Sequence, residues 1–120
     1  MVLKKKSRAF RDAGRGIKIA WLEEFNFRFD AVYAVVMLCF SWYFGLSKME
    51  LLIVIFMIGF VLTAETFNTA LEELCDKFQP EHDPHIGKIK DLAAAAVLIS
   101  SCTAFVTGVI VFLPYVMELV

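Results

Sequence analysis

The sequence has no glycine-rich phosphate loop of the GxxxxGK[ST] pattern, which excludes an ordinary nucleotide-binding fold. It also has no CxxC pair. Cys39, Cys75 and Cys102 fall one per apolar segment without metal-type spacing, so free thiols in a packed interior are expected. No internal repeat or low-complexity tract is visible, and one domain over residues 1–120 is expected. The N-terminus is basic, but the first apolar run offers no small-residue cleavage site, so no cleavable signal peptide is expected. A formal net charge of −1 excludes little by itself; its arrangement says more.

What the chain does have is apolar sequence. Hydrophobic residues make up 59%, more than an ordinary soluble domain carries. Three runs stand out, at residues 31–46, 51–64 and 92–117. A helix needs roughly 20 residues to cross a hydrocarbon core. The third run suffices alone. The first does so if Phe27 and Phe29 lie at the interface, and the second if its helix continues through Glu65 to about Leu71. The reading is an all-α membrane protein with three transmembrane helices, at about residues 29–46, 51–76 and 92–116.

Ahead of the first span, Phe10, Ala13, Ile17, Ala20 and Trp21 recur at helical spacing, with Lys and Arg on the other sides. Residues 7–29 therefore read as an N-terminal amphipathic interfacial helix, or as a positive anchor that only fixes topology. Basic residues gather before the first span and again at Lys77, Lys88 and Lys90. The positive-inside rule then puts the N-terminus and the second loop in the cytoplasm and the C-terminus outside. "SKME" reads as the external turn. "QPEHDPHIGK", residues 79–88, reads as a cytoplasmic loop in which Pro80 and Pro84 prevent helix. Ala96, Ser100, Ala104 and Gly108 form a four-spaced small-residue ridge that allows close helix contact.

The second apolar run passes without a break into "AETFNTALEELCD". At about 100° per residue, Glu65, Asn68, Glu72 and Asp76 share an arc of about 80°, while Glu73 falls to one side. Glu65 lies roughly 21 Å along the helix from Leu51, at or just inside the cytoplasmic boundary. Acids there are either the wet side of an emerging helix or, for an ionisable group within the membrane, a functional site. Glu24 in "WLEEFNFRFD" lies at the same depth. It forms an i,i+4 ion pair with Arg28, or it meets Glu72 across a divalent ion. Lys90 and Asp91 open the third span, where a lysine cradles phosphate or merely marks the boundary. Metal acids, an isolated glutamate and a phosphate-facing lysine are what phosphoryl transfer to a lipid hydroxyl requires.

These residues resemble the small three-helix bacterial lipid kinases, comprising diacylglycerol kinase and undecaprenol kinase. The resemblance runs from about Phe10 to Pro114 and is carried by "AETFNTALEELCD", "EEFNFR" and "IKDLAAAAVLI". It implies phosphorylation of a lipid hydroxyl with Mg²⁺ and ATP, by a homotrimer with active sites at subunit interfaces in the bacterial inner membrane. No nucleic-acid partner is expected. Position by position, Glu65 would be the general base, and Glu24 and Glu72 the metal ligands. Those two would also hold ATP, together with Asp76, Lys90 and Asp91. Asn68 would organise the polar cluster, and Trp21 and Arg28 would line the lipid side with Glu65. Asp12 stands where the family often has Tyr, so no nucleotide contact is assigned to the N-terminal helix. His82 and His85 lie in the loop beside the expected nucleotide site. "NFR", the proline-containing loop and "VIVFLP" look more like the undecaprenol branch.

Two other classes fit parts of the pattern. An ion-coupled transporter would use the carboxylates as a relay, but they cluster at one face. A non-catalytic membrane assembly protein would explain the ridge, but not Glu65 and Asn68.

Overall fold

The computed structural model describes residues 1–120 as four helices and no strand: α1 (Val2–Glu23), α2 (Phe25–Phe44), α3 (Lys48–Phe78) and α4 (Pro84–Glu118). α2, α3 and α4 are each long and apolar enough to cross a membrane. Only nine of 120 residues are buried within the chain, while large side chains such as Phe56, Phe67, Phe105 and Ile110 lie open. In water that much exposed apolar surface is untenable for a monomer, whereas in hydrocarbon it is solvated. The chain is a multi-pass membrane protein.

Each helix boundary has a local cause. The single helix expected over residues 7–29 does not form; the chain breaks at Glu24, which is extended at φ −112°, ψ 109°. Glu24 still serves both helices, its N–H donating to the Ala20 carbonyl (3.0 Å) and its carbonyl accepting from Arg28 N–H (3.2 Å). α2 ends at Gly45, which takes the left-handed conformation at φ 63° that a glycine adopts without strain. "SKME" is less a turn than a helix start. Ser47 caps α3 by accepting from Glu50 N–H (3.2 Å), and the Glu50 side chain accepts from Ser47 N–H (3.0 Å), a reciprocal capping box.

The loop between α3 and α4 is shorter than residues 79–88, the span its prolines suggest. Pro84 starts α4 instead of preventing helix, because a proline at the first helical position lacks only an N–H that would be unpaired anyway. Asp83 caps that end, accepting from His85 N–H (2.8 Å) and Ile86 N–H (3.1 Å).

α3 and α4 pack along their length, with Val54, Glu65 and Cys75 buried on one and Ser100 and Val111 on the other. α2 adds Phe27, Ala34 and Ser41, seven residues apart and therefore on one face. Of the small-residue ridge only Ser100 is fully buried, and a Cβ added at Gly108 would meet nothing within 4 Å. Within one chain the ridge is largely unused. The thiols are also not uniformly interior: Cys75 is buried, but Cys39 and Cys102 are exposed on apolar helix faces. Helix spacing put them on faces that this chain leaves open.

At the end opposite the Pro84 loop, Tyr115 OH donates to Glu50, and Phe44 packs against both Tyr115 and Phe112. This clasp ties the close of α2 and α4 to the start of α3.

Candidate active site

α3 carries the polar face from apolar depth to the loop end of the bundle. Glu65 is only 4% exposed, Asn68 and Glu72 are half-buried, and Asp76 is open. Glu73 is exposed, as its angular position required. A carboxylate in this position gains nothing from packing, since burying an ionisable group without a partner is unfavourable.

The corner between α1 and α2 delivers the partner elements. Glu24 stands at the break, and the charged neighbours of Glu65 are Asp30, Glu24 and Glu72, with the Asn26 side chain alongside. Three stretches of chain thus converge on one buried glutamate. Arg28 holds the corner, its Nη1 donating to the carbonyls of Trp21 (2.8 Å) and Leu22 (3.0 Å). These are among the last carbonyls of α1, which have no partner within the helix. The i,i+4 ion pair between Glu24 and Arg28 does not form, because Glu24 is not helical and the guanidinium is engaged by α1. Trp21 is 44% exposed at the end of α1.

Deeper in the cluster, Asn68 Nδ2 donates to Glu72 Oε1 (3.2 Å). That bond fixes the amide and leaves Asn68 Oδ1 buried with no hydrogen-bond partner. Nearer the loop, Lys90 Nζ donates to Asp76 Oδ1, joining α4 to α3, and Glu72 is a further electrostatic neighbour of Lys90. Asp91 turns away from this pair. It lines an open groove of about 530 Å³ with His82, Pro84, Gly87, Lys88 and Leu92. Lys90 and Asp91 are adjacent in sequence but face different spaces. The His85 side chain is exposed.

No three His, Cys, Asp or Glu side chains converge closely enough to hold a metal unaided. That donor set fits Mg²⁺, which takes one or two carboxylates and completes its shell with phosphate oxygens and water. Carboxylates drawn together around Glu65, and the open acceptor on Asn68, supply an electrostatic sink for a cation.

Sequence reasoning missed Asn26 and Asp30. On α2 they lie four apart and share an arc with the buried Ala34 and Ser41, so a helical projection begun at Phe25 would have found them. A single interfacial helix over residues 7–29 hides this face, because it places residues 25–29 outside the first span.

The architecture is that of a membrane-embedded protein with a carboxylate-rich polar centre at one end of its bundle. Residues 11–112 match the family described as prokaryotic diacylglycerol kinase, and the chain belongs to that family: it is a membrane lipid kinase. It is 35% identical over 107 residues to an undecaprenol kinase of Bacillus subtilis strain 168, covering 89% of this chain and 87% of that protein. It is 29% identical over 99 residues to a diacylglycerol kinase of Haemophilus influenzae, covering 82% and 84%. To a diacylglycerol kinase of Escherichia coli K12 it is 27% identical over 93 residues, covering 78% and 76%. The transporter and assembly-protein readings are set aside by this membership.

Proposed function

We propose that this kinase transfers the γ-phosphoryl group of ATP to the hydroxyl of a membrane lipid, with undecaprenol favoured over diacylglycerol. The observation that carries the reaction is Glu65, buried on α3 with Glu24 and Glu72 as its neighbours. The lean toward undecaprenol rests on the higher identity to the Bacillus enzyme and on the motifs noted above.

Glu65 accepts the proton of the lipid hydroxyl as its oxygen attacks the γ-phosphorus in line. A bond forms from the lipid oxygen to phosphorus, the bond to the β–γ bridging oxygen breaks, and ADP leaves. Glu24 and Glu72 would hold Mg²⁺, which when bound neutralises charge on the β- and γ-phosphate oxygens. Lys90 presents a point charge to the phosphates while Asp76 keeps its ammonium oriented. Asp91, with His82 and Lys88, lines the groove on which the remainder of the nucleotide rests. Asn68 orients Glu72. The lipid enters beside Trp21, at the corner that Arg28 holds.

The kinase sits in the bacterial inner membrane with its N-terminus and the Gln79–Asp83 loop in the cytoplasm, the side favoured by its basic residues. It works as a homotrimer with the site completed between subunits. The unused ridge at Ala96, Ala104 and Gly108 and the small single-chain core support that assembly.

The deciding experiment incubates purified protein with MgATP and either undecaprenol or diacylglycerol in mixed micelles, and follows phosphate into lipid. Transfer to undecaprenol that is lost in Glu65→Gln is the expected result. Transfer to diacylglycerol alone would reverse the substrate assignment, and full activity in Glu65→Gln would remove Glu65 as the base.

A further inference from the structure

α1 carries a feature the reaction does not use. Lys4, Arg8, Arg11, Arg15 and Lys18 follow one another at steps of 4, 3, 4 and 3 residues. At about 100° per residue these five cations fall within an arc of about 80°, in a row roughly 21 Å long. All five are exposed. Asp12, about 40° outside the arc and at helical spacing from Arg8 and Arg15, is the one acid beside the row, so five cations face a single carboxylate, and the one ion pair in the structure, Lys90 with Asp76, involves none of them. Like charges three and four apart on a helix repel, so the row weakens α1 unless an external anion meets it.

The rest of α1 fixes which way the row faces. Leu3, Phe10, Ile17 and Trp21 form an exposed apolar stripe. Ala9, Ala13, Gly16 and Ala20 form one flank of that stripe, and Ala20, the only buried residue of α1, is where the helix meets the bundle. The basic row is the opposite flank. With the apolar stripe sunk in the membrane and the small flank toward the bundle, the row points outward along the bilayer at headgroup level. Long Lys and Arg side chains then reach the phosphate plane.

We propose that this row binds anionic phospholipid headgroups and that their density sets how firmly α1 is seated, and hence how fast the kinase works. Because Glu24 directly follows α1 and its N–H donates to the Ala20 carbonyl, a loosely seated α1 leaves one acid of the site poorly positioned. The inference rests on the lipid-kinase activity. It has a consequence for that activity: phosphorylation turns a neutral lipid into an anion, so product raises the surface charge that the row reads.

The test uses the full chain in bilayer discs of phosphatidylcholine alone, or with about three in ten lipids replaced by phosphatidylglycerol. Hydrogen exchange of residues 2–23 reads the seating of α1 whether or not the protein turns over. Initial rates of lipid phosphorylation read the consequence. The variant is Arg8→Gln/Arg11→Gln/Arg15→Gln, which keeps Lys4, Lys5, Lys6, Lys18 and Arg28 to hold topology.

In the natural protein, anionic lipid is expected to slow exchange about tenfold and to raise the rate about threefold. Each basic residue near a charged leaflet contributes about fivefold to partition, so the variant loses about a hundredfold and keeps only a small part of either response through Lys4 and Lys18. An equal response in the variant overturns the proposal. So does a variant whose only change is a raised KM for ATP, which assigns the row to the nucleotide. Should the variant misfold, Arg→Lys at the same positions must keep the response. The natural protein's response must also fade between about 0.05 and 0.5 M salt, as a screened surface interaction does. Persistence at high salt would sink the idea.

Discussion

The Lys90 ammonium donates to the Asp76 carboxylate across 14 residues of sequence, binding the start of α4 to the end of α3 beside the loop that joins them. Both partners are partly or largely exposed, so the pair contributes little to stability. In the proposed reaction its value would lie in orientation, since a lysine held by one carboxylate oxygen keeps its other two protons for a phosphate.

Lys90→Met is therefore expected to lower kcat by about 10²-fold, in line with removal of one preformed donor to a developing anion. The unfolding midpoint should barely move. Asp76→Asn leaves the ammonium free to wander and should cost less activity. A double variant no worse than Lys90→Met would establish that Asp76 acts through Lys90, whereas additive losses would give Asp76 a separate role.

Glu65→Gln and Glu72→Gln should fail differently. Losing a general base lowers kcat about 10²–10⁴-fold with little change in the KM for ATP. Losing a metal carboxylate raises the Mg²⁺ concentration needed for half-maximal rate, and added Mg²⁺ recovers part of the activity. A Mg²⁺ titration of each variant checks both; identical profiles would contradict the division of roles. Glu24→Gln should behave as Glu72→Gln does.

Arg28→Ala frees the carbonyls of Trp21 and Leu22 and loosens the corner at Glu24. A loss of about 1–2 kcal/mol is expected, the scale of a few charge-assisted hydrogen bonds at a partly exposed site. Arg28→Lys can hold one carbonyl but not both in the same fork, so it should recover only part. Thermal unfolding of the protein in detergent measures the first effect, and the KM for lipid measures how far the corner matters to substrate entry.

Two changes at the far end of the bundle should touch stability alone. Gly45→Ala places a Cβ on a residue at φ 63°, a strain of about 1 kcal/mol with no neighbour to blame for it. Tyr115→Phe removes the donor to Glu50 while keeping the ring against Phe44, and should lower the unfolding midpoint while kcat is unchanged. A fall in kcat in either would connect this distant clasp to the site.

The amino-acid sequence by itself determined the broad architecture and the polar face of α3. Apolar length fixes three spans because lipid leaves the backbone no partner but its own helix. Helical periodicity fixes Glu65, Asn68, Glu72 and Asp76 on one side, since all four lie on one unbroken helix. Tertiary structure decided what meets that face. The break at Glu24, the redirection of Arg28 onto the carbonyls of α1, and the convergence of Asn26 and Asp30 on Glu65 all depend on how α2 leaves the corner. Residues 24–28 were compatible with a continuing helix, and no local signal contradicted one. Pairing Lys90 with Asp76 while Asp91 faces the groove likewise required the angle between α3 and α4. Contacts within one helix follow from its period, but contacts between helices depend on packing that no single segment encodes.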